Sequence, residues 1–270
     1  MKKRSLDKAY SNEEFLLSPE ARPLRILAEY YEPNTRFNRL SIDDTIVVMG
    51  SARYIDRERA QRNLEKAREA NEGVEAAERD LMTSRYYEDA RSLSNRLTHW
   101  SKGLPEKHRR FVVCTGGGPG IMEAANRGAS EAQGVNVGLS ISLPFEEEEN
   151  PYITRELAFR FHYFFMRKFW FLYLAKAVVF FPGGFGTLDE LFEILTLVQT
   201  RKVKKHLPLV LYGSDYWNRV VNFDALVEYG TINPGDVDLF RVCDTVDDAF
   251  DYLTAELTTY GLAEPAGATL

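Results

Sequence analysis

Only two cysteines, Cys114 and Cys243, stand among the 270 residues, and Cys114 closes an apolar run. That is too few for a disulfide scaffold, so both are expected as buried free thiols in a reducing compartment. No apolar run approaches the roughly 18 residues that a membrane span needs. Met1-Lys2-Lys3-Arg4 leads into the polar Ser5-Leu6-Asp7-Lys8 and not into the apolar core of a signal peptide. The expectation is a soluble, cytoplasmic protein without a membrane partner. An excess of positive charge is lacking as well, 34 Lys and Arg against 40 Asp and Glu giving a formal net charge of −6. Such a balance argues against broad binding of nucleic-acid polymers and leaves nucleotides as small ligands held in a pocket. Internal repeats are absent. What is present is ordinary globular material, 44% hydrophobic and 27% charged, enough for one large α/β domain or two small ones.

The most informative stretch is Val178-Val179-Phe180-Phe181-Pro182-Gly183-Gly184-Phe185-Gly186-Thr187-Leu188-Asp189-Glu190. An apolar run with two β-branched residues, then glycines, then a helical pattern reads as strand, tight turn and helix start. Gly183, Gly184 and Gly186 permit a sharp turn and a close backbone approach to a ligand. The free N–H groups and positive dipole end of the helix behind them suit a phosphate. Thr187 stands where a hydroxyl caps the helix or adds a bond to the anion. Glu190 is out of place beside an anion unless it faces another part of the ligand. Phosphate at the turn and carboxylate beyond it point to a phosphorylated sugar with chemistry at its far end.

Residues 1–44 read as a helical extension packed on the main domain, with Ser18 as cap and Pro19 at the first helical position. Thr45-Ile46-Val47-Val48-Met49 reads as a strand buried on both faces, ending in the turn Gly50-Ser51. A charged helical stretch follows to Trp100, broken near Gly73. Phe111-Val112-Val113-Cys114 is a second strand that runs into Gly116-Gly117-Gly118-Pro119-Gly120-Ile121-Met122. Two glycine turns after apolar strands converge when the strands are parallel, because ligands bind at the carboxyl ends of such sheets. Val135 to Leu139 and Leu207 to Tyr212 are further strands, Tyr216 to Tyr229 a helix, and Val242-Cys243 a last strand before a helix capped by Thr245. The four glutamates Glu146 to Glu149 read as a solvated loop and not as a metal site. Phe159 to Tyr173 is dense in aromatics and carries Arg167 and Lys168, whose charges need either the bound ligand or ion pairs elsewhere. The pattern predicts a Rossmann-like doubly wound parallel sheet over 45–260 with a tail at 261–270.

Pro182 to Glu190 resembles the Pro-Gly-Gly-x-Gly-Thr-x-x-Glu signature of the LOG family, the cytokinin riboside 5′-monophosphate phosphoribohydrolases and their bacterial relatives, often mislabelled lysine decarboxylases. Gly116 to Met122 resembles the family's second glycine element, Gly50-Ser51 its first turn, and Met166-Arg167-Lys168 its Arg-Lys region, all in family order. The resemblance covers about residues 45–257. It implies hydrolysis of the N-glycosidic bond of a nucleoside 5′-monophosphate, AMP-like or a cytokinin riboside monophosphate, to free base and ribose 5-phosphate. Arg167 and Glu190 would be the catalytic pair. Gly183, Gly184, Gly186 and Thr187 would hold the phosphate, and Gly50, Ser51, Gly117, Gly118, Met122 and Lys168 the nucleotide. No metal or cofactor is implied, and a homodimer or an assembly of dimers is. The competing expectation is a non-catalytic carrier of a nucleotide or of the molybdenum cofactor, which needs the same turns but no carboxylate beside a sugar. A decarboxylase needs a pyridoxal Schiff-base lysine, and nothing near Lys168 marks a partner for the pyridinium.

Overall fold

A computed structural model describes residues 8–105, 107–142 and 150–263. Seven strands among the described residues are parallel throughout: β1 (Thr45–Met49), β2 (Val112–Thr115), β3 (Val137–Ile141), β4 (Ala158–Phe161), β5 (Ala175–Phe180), β6 (Leu209–Tyr212) and β7 (Arg241–Cys243). Their order in the sheet is β4-β3-β2-β1-β5-β6-β7. The chain winds outward from β1 in one direction and then restarts at β5 in the other. The switch point therefore lies between β1 and β5, whose register runs from Thr45 opposite Ala175 to Met49 opposite Phe180. That is where a doubly wound sheet opens a crevice at its carboxyl ends.

The helices are α1 (Glu13–Leu17), α2 (Arg22–Arg39), α3 (Arg57–Ala70), α4 (Val74–Lys102) and α5 (Ile121–Glu131) in the first half. The second half has α6 (Phe164–Tyr173), α7 (Phe185–Gln199), α8 (Ser214–Val220), α9 (Phe223–Glu228) and α10 (Val246–Glu256). They cover both faces, and strand alternation decides which residue joins which core. Val47 and Met49 of β1 face Trp170, Phe171 and Leu191, whereas Ile46 and Val48 face Leu93, Ile121 and Leu253.

The amino-terminal helix α2 is seated on α6 by a backbone exception. Pro33 lies inside α2 and has no N–H to give to the carbonyl four residues back, that of Glu29. The freed carbonyl accepts a hydrogen bond from Trp170 Nε1 at 2.9 Å. Phe37 adds ring contacts to Phe159 and Trp170, with centroids 5.1 and 5.4 Å apart.

Two local expectations are corrected, and one strand that the sequence pattern leaves unassigned is found. Ser18 and Pro19 open a short 3-10 turn, Pro19–Ala21, without a side-chain cap, and α2 begins only at Arg22. The segment 216–229 is two helices: Val221 is extended, and Asn222 recaps α9 by accepting from the Ala225 N–H at 3.0 Å. Within the aromatic stretch, Ala158–Phe161 is an edge strand that alternates exposed and buried residues. The break at Gly73, the buried free cysteines and the Thr245 cap agree with the sequence. The Glu146 to Glu149 run lies outside the described residues, as does the tail beyond residue 263.

Candidate functional site

Three strand ends, those of β1, β2 and β5, meet in one place because their turns are tied by main-chain bonds. The Ser51 N–H donates to the Pro182 carbonyl at 2.9 Å, and the Ile121 N–H donates to the Ser51 carbonyl at 3.0 Å. Gly120 makes this possible. Its φ is +71°, and a Cβ there would stand 2.2 Å from the Ser51 carbonyl oxygen. Gly120→Ala is therefore expected to lower stability by about 3 kcal/mol or more, from left-handed strain together with a clash against main chain. A denaturant titration reads this directly, and an unchanged midpoint would refute it.

The turns enclose a cavity of about 610 Å³, a size that suits a small-molecule ligand. Its floor is Gly183, Gly184 and Gly186 with the first turn of α7. Gly184 is the N-cap of α7, and no side chain caps that end, so the first N–H groups of the helix have no capping acceptor. Thr187 lines the cavity three residues into the helix and does not cap it, a correction to one of the two roles read from sequence. A Cβ on Gly184 would meet nothing within 4 Å. Gly184→Asp should therefore fold normally yet repel an anion from the turn, weakening phosphate-ester binding at least about tenfold. Calorimetry with a nucleoside monophosphate checks it, and unaltered affinity would remove the turn as the anion site.

The wall holds Arg167, from α6, and Glu190, from α7. Arg167 Nη2 lies 3.1 Å from Glu190 Oε1, and the two side chains are 13% and 7% exposed. The guanidinium also sits 5.3 and 5.5 Å from the ring centres of Phe164 and Phe171, an orientation that keeps a planar cation in place. Burial pushes the Glu190 carboxyl above its ordinary pKa, with Arg167 opposing and Asp189 assisting the rise. A buried carboxylate with a raised pKa beside a glycine turn at a helix N-terminus is equipped to accept a proton or to face a developing cation.

Of the residues singled out in the sequence, Gly50, Ser51, Met122, Arg167, Gly183, Gly184, Gly186, Thr187 and Glu190 line this one cavity. Gly117, Gly118 and Lys168 do not line it. Gly117 takes φ +72° and its N–H donates to Thr115 Oγ1 at 3.0 Å, so it shapes the turn from behind. The Gly118 carbonyl faces Asn150 Nδ2 at 3.5 Å. Lys168 turns to the other side of α7, where Nζ pairs with Asp189 at 2.7 Å and Glu193 at 2.9 Å. It lines a neighbouring apolar cavity of about 330 Å³, which Glu190 also borders.

Sequence reasoning missed Tyr216 and the buried asparagines. The Tyr216 hydroxyl donates to the Gly183 carbonyl and braces the glycine turn ahead of α7 from α8. Asn126 accepts from Thr115 Oγ1 at 2.6 Å and donates to Asn136 Oδ1 at 2.9 Å, and Asn150 joins it at 3.0 Å. This network fixes the second glycine turn. Asparagines at such spacing carry no sequence signal for it. Among the described residues, no group of three or more His, Cys, Asp or Glu is arranged to hold a metal ion. No helix among them is long and apolar enough to cross a membrane.

Residues 122–253 match the protein-family model described as "Possible lysine decarboxylase". A pyrimidine/purine nucleotide 5′-monophosphate nucleosidase of Escherichia coli is 29% identical over 133 residues, which are 43% of this chain and 28% of that protein. A cytokinin riboside 5′-monophosphate phosphoribohydrolase of Arabidopsis thaliana is 33% identical over 95 residues, 31% of this chain and 43% of that protein. The chain thus spans less than half the length of these curated relatives in the matched stretch. Among solved structures, a molybdenum cofactor binding protein from Rippkaea orientalis matches with a TM-score of 0.49 at 16% identity, covering 80% of this chain and 98% of that one.

Proposed function

Likeness to the LOG family, carried by the match over residues 122–253, is the premise from which we propose that this protein hydrolyses the N-glycosidic bond of a nucleoside 5′-monophosphate. The products are free base and ribose 5-phosphate. The observation that carries the reading is the Arg167–Glu190 pair, 3.1 Å apart, on the wall of the cavity whose floor is the Gly183-Gly184 turn. A carrier has no use for a buried carboxylate on the wall of the same cavity as its anion site.

In this reading the 5′-phosphate docks on the open N–H groups of α7, and remote binding energy orients the ribose. The C1′–N bond breaks with its electron pair going to the base, through an oxocarbenium-like sugar. Glu190, ionised, faces that positive charge and orients the water that adds at C1′, accepting one of its protons. The base acquires a proton as it leaves. Arg167 keeps Glu190 ionised and placed. Assembly as a homodimer and residence in the cytoplasm belong to the same proposal.

Incubation with a panel of purine and pyrimidine nucleoside monophosphates, followed by chromatography, tests it. Free base from at least one of them is the expected result. A nucleotide retained intact across the whole panel would overturn hydrolysis and favour a carrier.

A further inference from the structure

We propose that Lys168 is a positioning residue for the reaction, acting on Glu190 by cancelling the two acids that flank it on α7. The inference rests on the reading of Glu190 as the ionised group of the hydrolysis. Lys168 does not line the nucleotide cavity. Its Nζ lies 2.7 Å from Asp189 Oδ2 and 2.9 Å from Glu193 Oε2. Those acids stand one residue before and three residues after Glu190, so three carboxylates crowd two turns of one helix. Residues three apart on a helix are neighbours, and like charges there repel.

Two adjacent cations of α6 divide these acids between them. Arg167 takes Glu190 on the side of the nucleotide cavity, and Lys168 takes Asp189 and Glu193 on the other side. Glu190 stands in the partition, since it borders both the nucleotide cavity and the apolar one. An apolar wall makes ionisation costly, and an uncancelled acid on either flank would add to that cost. The directions agree: burial raises the Glu190 pKa, Arg167 opposes the rise, Asp189 adds to it and Lys168 opposes it. The other titratable groups lining the two cavities are Arg53, Tyr216 and Lys202. Arginine, tyrosine and lysine do not titrate in the carboxylate range, so none of them produces an acid limb.

The bland explanation is an ion pair that merely fastens α6 to α7. Exposure argues against fastening as the main effect. The Asp189 and Glu193 side chains are 60% and 39% exposed, whereas that of Glu190 is 7% exposed. Ion pairs so open to water contribute little to stability. A change of charge beside a buried carboxylate is screened much less. Lys168 therefore matters less for holding the helices together than for the charge state of Glu190.

The test follows kcat/KM against pH in Lys168→Met, whose side chain suits the apolar cavity that Lys168 lines. The acid limb should move up by at least about half a pH unit. Lys168→Arg should keep it in place. Lys168→Met combined with Asp189→Asn and Glu193→Gln has no bridge but also no flanking charge, and its limb should return towards that of the unaltered chain. A fastening role predicts no return, because the triple variant is no better fastened than Lys168→Met. The Glu190 carboxyl is also titrated directly, by carbon-13 NMR with labelled glutamate, its signal being the one absent in Glu190→Gln. The same rise in Lys168→Met and the same return in the triple variant are expected. This titration needs no turnover, so a chain that releases no base loses the hydrolase reading while the action of Lys168 on Glu190 is still decided. An unmoved Glu190 titration in Lys168→Met, or a triple variant that stays with Lys168→Met, overturns the proposal.

Discussion

Replacing Glu190 by Gln should lower base release by about 10²–10⁴-fold, the range for loss of a positioned acid–base group, while nucleotide binding stays close to that of the unaltered chain. The amide keeps the shape of the side chain, so the cavity wall beside Gly186 and Arg167 is retained. What goes is the negative charge facing the sugar and the capacity to take a proton. The glycine turn proposed for the phosphate, four to seven residues earlier, is untouched, and in that reading it supplies most of the binding. Chromatography of released base and calorimetry of nucleotide binding separate the two effects. Unchanged release would take Glu190 out of the chemistry, and loss of binding with loss of release would make it merely part of the ligand's seat.

The acid limb of the pH–rate profile carries the same argument further. In the proposed mechanism Glu190 works ionised, and burial raises its pKa, so kcat/KM should begin to fall at a higher pH than an ordinary carboxylate dictates. Arg167 acts to lower that pKa. In Arg167→Met the opposing charge is gone, the carboxyl is protonated more readily, and the limb should move to still higher pH. A limb that stays put or moves down would mean that another group controls it.

The sequence carried the sheet because its strands are short, continuous apolar runs ending in glycine, and β1, β2 and β5 need no tertiary information to be recognised. Their convergence was legible too, since only a parallel sheet brings Gly50, Gly116 and Gly183 to one mouth. The edge strand β4 was not, because Phe159 and Phe161 belong equally well to an aromatic helix when only composition is read. Lys168 shows a finer limit. It follows Arg167, and adjacent helical residues point about 100° apart, so only one of the pair faces the nucleotide cavity. Sequence alone does not choose which. Tyr216 braces the Gly183 carbonyl from a helix more than thirty residues away, a contact that only packing creates.

Stability should depend most on an acid that sequence passes over. Asp44 precedes β1 and is fully buried, with Arg110 Nε 2.5 Å from its Oδ2 and the Arg110 side chain only 4% exposed. Its other oxygen accepts from the Phe111 N–H, and Phe111 takes φ +55°, a left-handed conformation for a bulky residue. One carboxylate thus holds a buried cation and fixes a strained residue at the point where β2 joins β1. Asp44→Ala leaves the guanidinium uncompensated and the N–H without its acceptor. The expected loss is about 3–5 kcal/mol, the usual consequence of breaking one half of a buried pair. Removing the charge at both ends is a different matter, because well-packed apolar groups often replace such a pair at no loss. Asp44→Leu combined with Arg110→Met should therefore recover part of the stability lost in Asp44→Ala, the unsatisfied Phe111 N–H accounting for the remainder. Urea unfolding midpoints of the three chains decide it. A loss below about 1 kcal/mol in Asp44→Ala, the level of an exposed ion pair, would show that Arg110 finds other compensation and that the strand junction does not rest on this acid.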